Sequence, residues 1–150
     1  MKILAIGALF FMMLTCVQAA PHVWQSGFKM GFSEYKIDNG LGQHLRISCN
    51  TAAGQSYDHA VSFIDGNFEY QNTDSRTPLS FIFNENISVI PLGNTKWRNG
   101  ANAWNTFKNN VSNANKIEVF LNSRKIATFS PSSASVRNVA KEIQGCEPLS

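Results

Sequence analysis

Leu45-Arg46-Ile47-Ser48-Cys49 alternates apolar and polar residues with the period of a β-strand, which sets Leu45, Ile47 and Cys49 on one face. Far along the chain, Val136, Val139, Ala140 and Ile143 recur at the steps of a core-facing helix, Gly145 ends it, and Cys146 follows at once. A disulfide between Cys49 and Cys146 would pin that helix across the sheet containing Cys49. It would close a loop of about 97 residues, for which the chain-entropy argument gives roughly 4–5 kcal/mol of stabilisation. For a small domain this is comparable to the whole net stability.

The pairing rests on an oxidising location, and the start of the chain argues for one. Lys2 precedes an apolar run from Ile3 to Leu14, and Thr15-Cys16-Val17-Gln18-Ala19-Ala20-Pro21 supplies the small residues of a cleavage site. We therefore expect residues 1–19 to be a signal peptide and residues 20–150 a single exported β-rich domain, periplasmic or secreted. About twelve apolar residues fall short of the roughly twenty needed to cross a bilayer. Lipid attachment at Cys16 is poorly matched, since Thr15 stands where a small Gly or Ala is wanted. Cleavage removes Cys16 with the leader, leaving an even number of cysteines, as one structural bridge requires. It also removes Lys2 and lowers the formal net charge from +3 to +2. So small and dispersed an excess implies neither nucleic acid nor an anionic membrane as partner.

Working outward from Cys49, the other segments read as short strands joined by turns. Phe28, Met30 and Phe32 alternate as in a half-buried strand, and the parity shift to Tyr35 and Ile37 predicts a bulge near Gly31 or a new strand there. Asn39-Gly40 predicts a type I′ hairpin turn into Gln43–Cys49. Asn50 to Asp58 reads as a loop. Val61 and Phe63, then Leu79, Phe81 and Phe83, then Ile117, Val119 and Leu121 are the inward sets of further strands, with Asp65-Gly66-Asn67 and Asn122-Ser123-Arg124 as turns. Trp97, Ala101, Trp104, Lys108 and Val111 recur at steps of three and four, which predicts a helix over about Ala101–Ser112. Six asparagines between Asn99 and Asn113 weaken that reading, because Asn is a poor helix former. Ser132 or Ser133 caps the C-terminal helix. The result is a mainly β chain of six to eight strands: an antiparallel β-sandwich or strongly curved sheet, one C-terminal helix and one disulfide.

An exported start, the early Trp24, a strand ending in Cys49, a Trp-bearing middle, a hairpin, then Phe129-Ser130-Pro131-Ser132-Ser133 leading into a helix and Cys146 resembles small periplasmic proteins of Gram-negative bacteria, of the invasion-associated locus B type. The resemblance implies a periplasmic β protein without a known catalytic site.

Searching the residues for chemistry yields mostly exclusions. His22, His44 and His59 lack the helical i, i+4 spacing of a zinc pair, and no further cysteine stands near Cys49 or Cys146 to complete a tetrahedral site. Ser33-Glu34-Tyr35-Lys36 matches serine-x-x-lysine, but in a strand-like run and without its partner motifs. No catalytic residue, metal or cofactor is expected. The aromatic set is more informative: Trp97 and Trp104, with Arg98 and Lys96 beside them, would make a partner-binding patch if exposed and a core if buried. The expected function is therefore a non-enzymatic binding protein acting on another envelope or secreted protein, as inhibitor, immunity protein or virulence-associated accessory. The competing expectation is a small envelope hydrolase using His44 or His59 with a carboxylate distant in sequence. It requires His44, His59 and an acid in one cleft.

Overall fold

The computed structural model describes residues 20–149, so the expected signal peptide lies outside the described residues. The chain is mainly β. Strands β1 (Gln25–Lys29), β2 (Phe32–Asp38), β3 (Gln43–Asn50), β4 (Ala60–Asp65) and β5 (Phe68–Gln71) form one antiparallel sheet in sequence order. Strands β6 (Leu79–Phe83), β7 (Ile87–Val89), β8 (Ile117–Leu121) and β9 (Arg124–Phe129) form a second, in the order β7-β6-β8-β9. Helix α1 (Arg98–Val111) connects β7 to β8, and α2 (Ser133–Gln144) follows β9.

Alternation along the strands builds the core. Tyr35 faces Ile47 across β2 and β3, and Ile47 faces Val61 across β3 and β4; all three are buried. Leu45, Phe63, Phe81, Phe83, Ile117, Val119 and Phe129 join them in one cluster that takes in both sheets and both helices, a β-sandwich-like arrangement. Each fully buried side chain of this size contributes on the order of 1.5–3 kcal/mol over its exposed state.

Two turns differ from expectation, and together they explain the extra strand. Met30 and Gly31 both take positive φ, 51° and 86°, in the two-residue link of the β1–β2 hairpin. The type I′ turn is therefore here, and the parity shift marks a new strand rather than a bulge. Glycine is required at 31 on a second count: a Cβ there would lie 2.4 Å from the backbone N of Ala53. At the β2–β3 link Asn39 does not take positive φ; Gly40 and Gly42 do. Asn39 instead folds its side chain onto the loop, its Oδ1 accepting from the N–H groups of Leu41 at 3.0 Å and Gln43 at 3.4 Å. The β8–β9 link, Asn122-Ser123, has φ of 49° and 64° and is a second two-residue turn of the primed kind.

Helix α1 starts three residues earlier than its periodicity indicates. Gly100 permits this, because a Cβ on it would meet the carbonyl O of Asn94 at 2.2 Å. Trp104, Phe107, Lys108 and Val111 form the buried face, with the Phe107 ring edge-on to Phe81 at 5.2 Å and to Phe83 at 5.8 Å. Helix α2 is capped by Ser132, whose side chain accepts from the N–H of Ser135 at 3.3 Å.

Cys49 and Cys146 are bonded, across 97 residues of chain, and both sulfurs lie in the core. Replacing both with alanine is expected to lower the unfolding free energy by about 4 kcal/mol, with the denaturant midpoint read by circular dichroism. A loss under about 1 kcal/mol would mean that the bond is incidental to the fold.

Candidate functional site

The five residues after α2 run through a knot of side-chain hydrogen bonds. The Trp104 indole Nε1 donates to the carbonyl O of Cys146 at 2.9 Å, and Lys108 Nζ donates to the carbonyl O of Gln144 at 2.9 Å. Lys108 is buried, and its ammonium also meets the Glu147 carboxylate at 2.6 Å. Leu149 N–H donates to Thr95 Oγ1 at 3.3 Å, and Thr95 in turn donates from its N–H and hydroxyl to Asp58.

His59 sits at the centre, 1% exposed. Its Nδ1 accepts from the N–H of Asn50 at 3.0 Å, so the ring proton is on Nε2, which donates to the Glu147 carbonyl at 2.7 Å. Its ring stacks on Trp104 at 5.2 Å and 12°. Burial holds the His59 pKa below the ordinary histidine value, against the opposing pull of the Glu147 carbonyl and the Asp58 charge. Among the described residues, Cys49, His59 and Cys146 form a triad whose potential ligand atoms all lie within 4.8 Å of one another. With the sulfurs joined to each other they offer no thiolate, and His59 Nδ1 already holds the Asn50 N–H.

His44 lies elsewhere. It faces Asp38 across β2 and β3, its Nδ1 2.9 Å from Asp38 Oδ2, and burial followed by the Lys36 charge lowers its pKa. It stands opposite Ile64, whereas His59 precedes Ala60, opposite Ser48, at the other end of the β3–β4 pair. His22 is tied by its backbone N–H to the Asp38 carbonyl at 2.8 Å, near the His44 end. The cleft shared by His44, His59 and an acid, which the hydrolase expectation requires, is not formed.

The two tryptophans part company. Trp104 is fully buried, which corrects its place in the expected partner-binding patch; Trp97 is 70% exposed, and Arg98 beside it is exposed. Residues seven apart share a face only when both are helical. Trp97 is the extended residue preceding the helix, at φ −99° and ψ 143°, so its side chain leaves the face that Trp104 occupies. Other exposed aromatics escaped the sequence reading. Phe28 and Met30, expected inward, are 68% and 84% exposed: Phe28 lies on the edge strand β1, every residue of which is exposed, and Met30 in the turn that follows it. Tyr57, in the loop between β3 and β4, is 58% exposed. The one sequence signal for Met30 was Gly31, which makes the pair a turn.

The fold and these sites define a small disulfide-pinned β domain with exposed aromatic side chains and no assembled histidine–carboxylate cleft among the described residues. The chain belongs to the YfjT family, whose sequence profile matches residues 22–141. It is 29% identical over 133 residues to the uncharacterized protein YfjT of Escherichia coli strain K12, covering 85% of this chain and 84% of that protein. It is 28% identical over 131 residues to the uncharacterized protein YkfB of the same strain, with the same coverage. No solved structure matches.

The neutral, buried His59 makes stability acid-sensitive. The unfolded chain takes up a proton near pH 6.5, but the folded chain only at lower pH, so this contribution is complete above about pH 6.5 and is lost as pH falls toward the folded pKa. Unfolding free energy measured between about pH 7.5 and 5 is expected to fall with acid, by up to roughly 1.4 kcal/mol per pH unit for this one proton. The slope should be shallower in His59→Gln. Equal slopes would show that His59 does not carry the acid sensitivity.

Proposed function

We propose that this chain is an exported, non-enzymatic binding protein whose partner is another protein of the cell envelope or the surrounding medium. The observation that carries the reading is Trp97: a large indole left 70% exposed on a fixed backbone. Its N–H donates to the Asn94 carbonyl at 3.1 Å, and its carbonyl accepts from Ala101 at 2.8 Å, so the side chain is presented from an ordered turn at the start of α1. The preceding segment adds exposed Ile90 and Leu92, and Arg98 follows. Trp and Arg are the side chains that most often anchor protein interfaces, and a pre-ordered anchor costs little entropy on binding. The sequence features Lys2, Ile3 to Leu14 and Ala19 support export, and the Cys49–Cys146 bond is suited to an oxidising compartment. An inhibitor, an immunity protein and a virulence-associated accessory are all members of this class.

Capture from periplasmic and culture-supernatant extracts tests this reading, using the oxidised chain tagged at its C-terminus. Trp97→Ala is expected to keep the fold, with a stability change within about 0.5 kcal/mol as for other surface substitutions, and to lose a stoichiometric partner that the parent chain retains. Trp104→Ala is expected to cost about 3–5 kcal/mol as a core truncation. Identical partners on the parent and Trp97→Ala chains would remove Trp97 from the interface.

A further inference from the structure

The solvent face of the five-stranded sheet carries a cleft distinct from the Trp97 region. Side chains of β2 and β3 that point away from the core, Phe32, Glu34, Arg46 and Ser48, form its floor and one wall. Tyr57, Gln71 and Thr73 stand on its rim, with Ser56, Asp58 and Ala60 completing the lining of about 360 Å³. A second hollow of about 430 Å³ adjoins it and shares Phe32, Glu34 and Tyr57; its other lining side chains are Lys29, Met30 and Ala53. Each volume lies within the roughly 300–1,000 Å³ range typical of small-molecule sites.

The groups lining the cleft are held in place before any ligand arrives. Arg46 lies between two carboxylates, in contact with Glu69 and 4.0 Å from Glu34. Glu69 also accepts from Gln71 Nε2 at 2.7 Å. Burial acts to raise the Glu69 pKa, but the Gln71 amide and the Arg46 guanidinium lower it overall, so Glu69 stays an ionised acceptor at neutral pH. The Asp58 carboxylate is committed to Thr95 and takes no part.

Tyr57 is exposed, yet its loop is closely tied. Asn50 Nδ2 donates to the carbonyls of Gly54 at 2.8 Å and Tyr57 at 2.9 Å, Asn50 Oδ1 accepts from Ala53, and the Gly31 carbonyl accepts from Thr51 and Ala52. The Tyr57 ring packs edge-on against Phe32 at 6.0 Å and 80°. An ordered loop that holds an aromatic ring in water over a polar floor is an arrangement that core packing does not explain.

The chemistry narrows the ligand. Across the two hollows Lys29 and Arg46 balance Glu34 and Asp58, so the lining carries no net formal charge, which suits a neutral ligand. Planar carboxylate, guanidinium and amide groups side by side match adjacent hydroxyl groups, each able to donate and accept. Aromatic faces at the rim suit the C–H face of a sugar ring, and the apolar part of the adjoining hollow, Met30, Phe32, Ala53 and Tyr57, suits a methyl group, with Lys29 and Glu34 completing the lining. We propose that this cleft binds a neutral saccharide of the N-acetylhexosamine class, the ring on the Glu34–Arg46–Gln71 floor and the acetamido methyl in the adjoining hollow. The proposal uses none of the Trp97 residues and stands or falls separately from the protein-binding reading.

Titration of the 15N-labelled, oxidised chain with chitotriose, followed by amide chemical shifts, tests it. Saturable shifts are expected at residues 32–34, 46–48, 57 and 71, with a Kd of about 1 mM or tighter and at least about tenfold preference over maltotriose. Tyr57→Ala, at a position 58% exposed, should keep the dispersed spectrum and weaken chitotriose about tenfold or more; Gln71→Ala should weaken it as well. Trp97→Ala should bind as the parent does. The proposal is overturned by the absence of saturable shifts up to about 10 mM, by equal affinity for maltotriose, or by a Tyr57→Ala chain that binds like the parent. Saturable shifts at the same residues with trilysine in place of chitotriose would also overturn it and make this a cation site.

Discussion

The constraint on which the rest of the structure depends is the attachment of the chain after α2. Between Gln144 and Leu149 there is no regular secondary structure to satisfy the backbone, yet this segment passes through the interior beside Cys49. Buried carbonyls without partners are costly, at about 1–3 kcal/mol each. Three side chains from two other parts of the chain meet them: Trp104 and Lys108 from α1, and His59 from the entry to β4. The disulfide adds the covalent tie to β3. One short segment thus joins the first sheet, α1 and α2. Removing any of the three donors leaves a carbonyl of this junction without its partner.

That arrangement also explains why the most chemically suggestive residues are poor candidates for catalysis. A histidine beside two cysteines, a buried lysine and a tryptophan is the set from which a redox or metal site could be built. Here both ring nitrogens of His59 are matched to backbone groups, and the sulfurs are matched to each other. The groups left to engage another molecule lie on the surface, on rigid supports. Trp97 sits at the start of α1, Tyr57 in the loop bound by Asn50, Phe28 on the edge strand β1 and Met30 in the turn after it. Both functional proposals rest on aromatics of this kind, one for a protein partner and one for a saccharide.

Much of the fold could be read from the chain because its signals are local. The period-two runs at Leu45–Cys49, Leu79–Phe83 and Ile117–Leu121 are strands with the expected faces inward, and Ser132 caps the helix that leads to Cys146. What escaped was set by tertiary contact. Periodicity alone placed Phe28 and Met30 inward, but β1 is an edge strand exposed along its whole length, and Met30 stands in the turn beyond its end. Trp97 and Trp104 have helical spacing, yet the helix begins one residue after Trp97, at a start permitted by Gly100 against Asn94. The cleft was invisible for a different reason. Glu34, Arg46, Glu69 and Gln71 come from three strands and read individually as ordinary surface residues until register sets them side by side.

The most direct test of the C-terminal junction as the organising feature is hydrogen exchange at two protons, the Trp104 indole N–H and the Asn50 backbone N–H, followed by NMR in the oxidised and the reduced chain. Both are donors into the junction, one to the Cys146 carbonyl and one to His59, and they lie in different elements. If the junction acts as a unit, both exchange slowly in the oxidised chain and both accelerate together on reduction. If either stays protected once the disulfide is reduced, the junction is a set of independent contacts and not the constraint that holds the sheet and helices together.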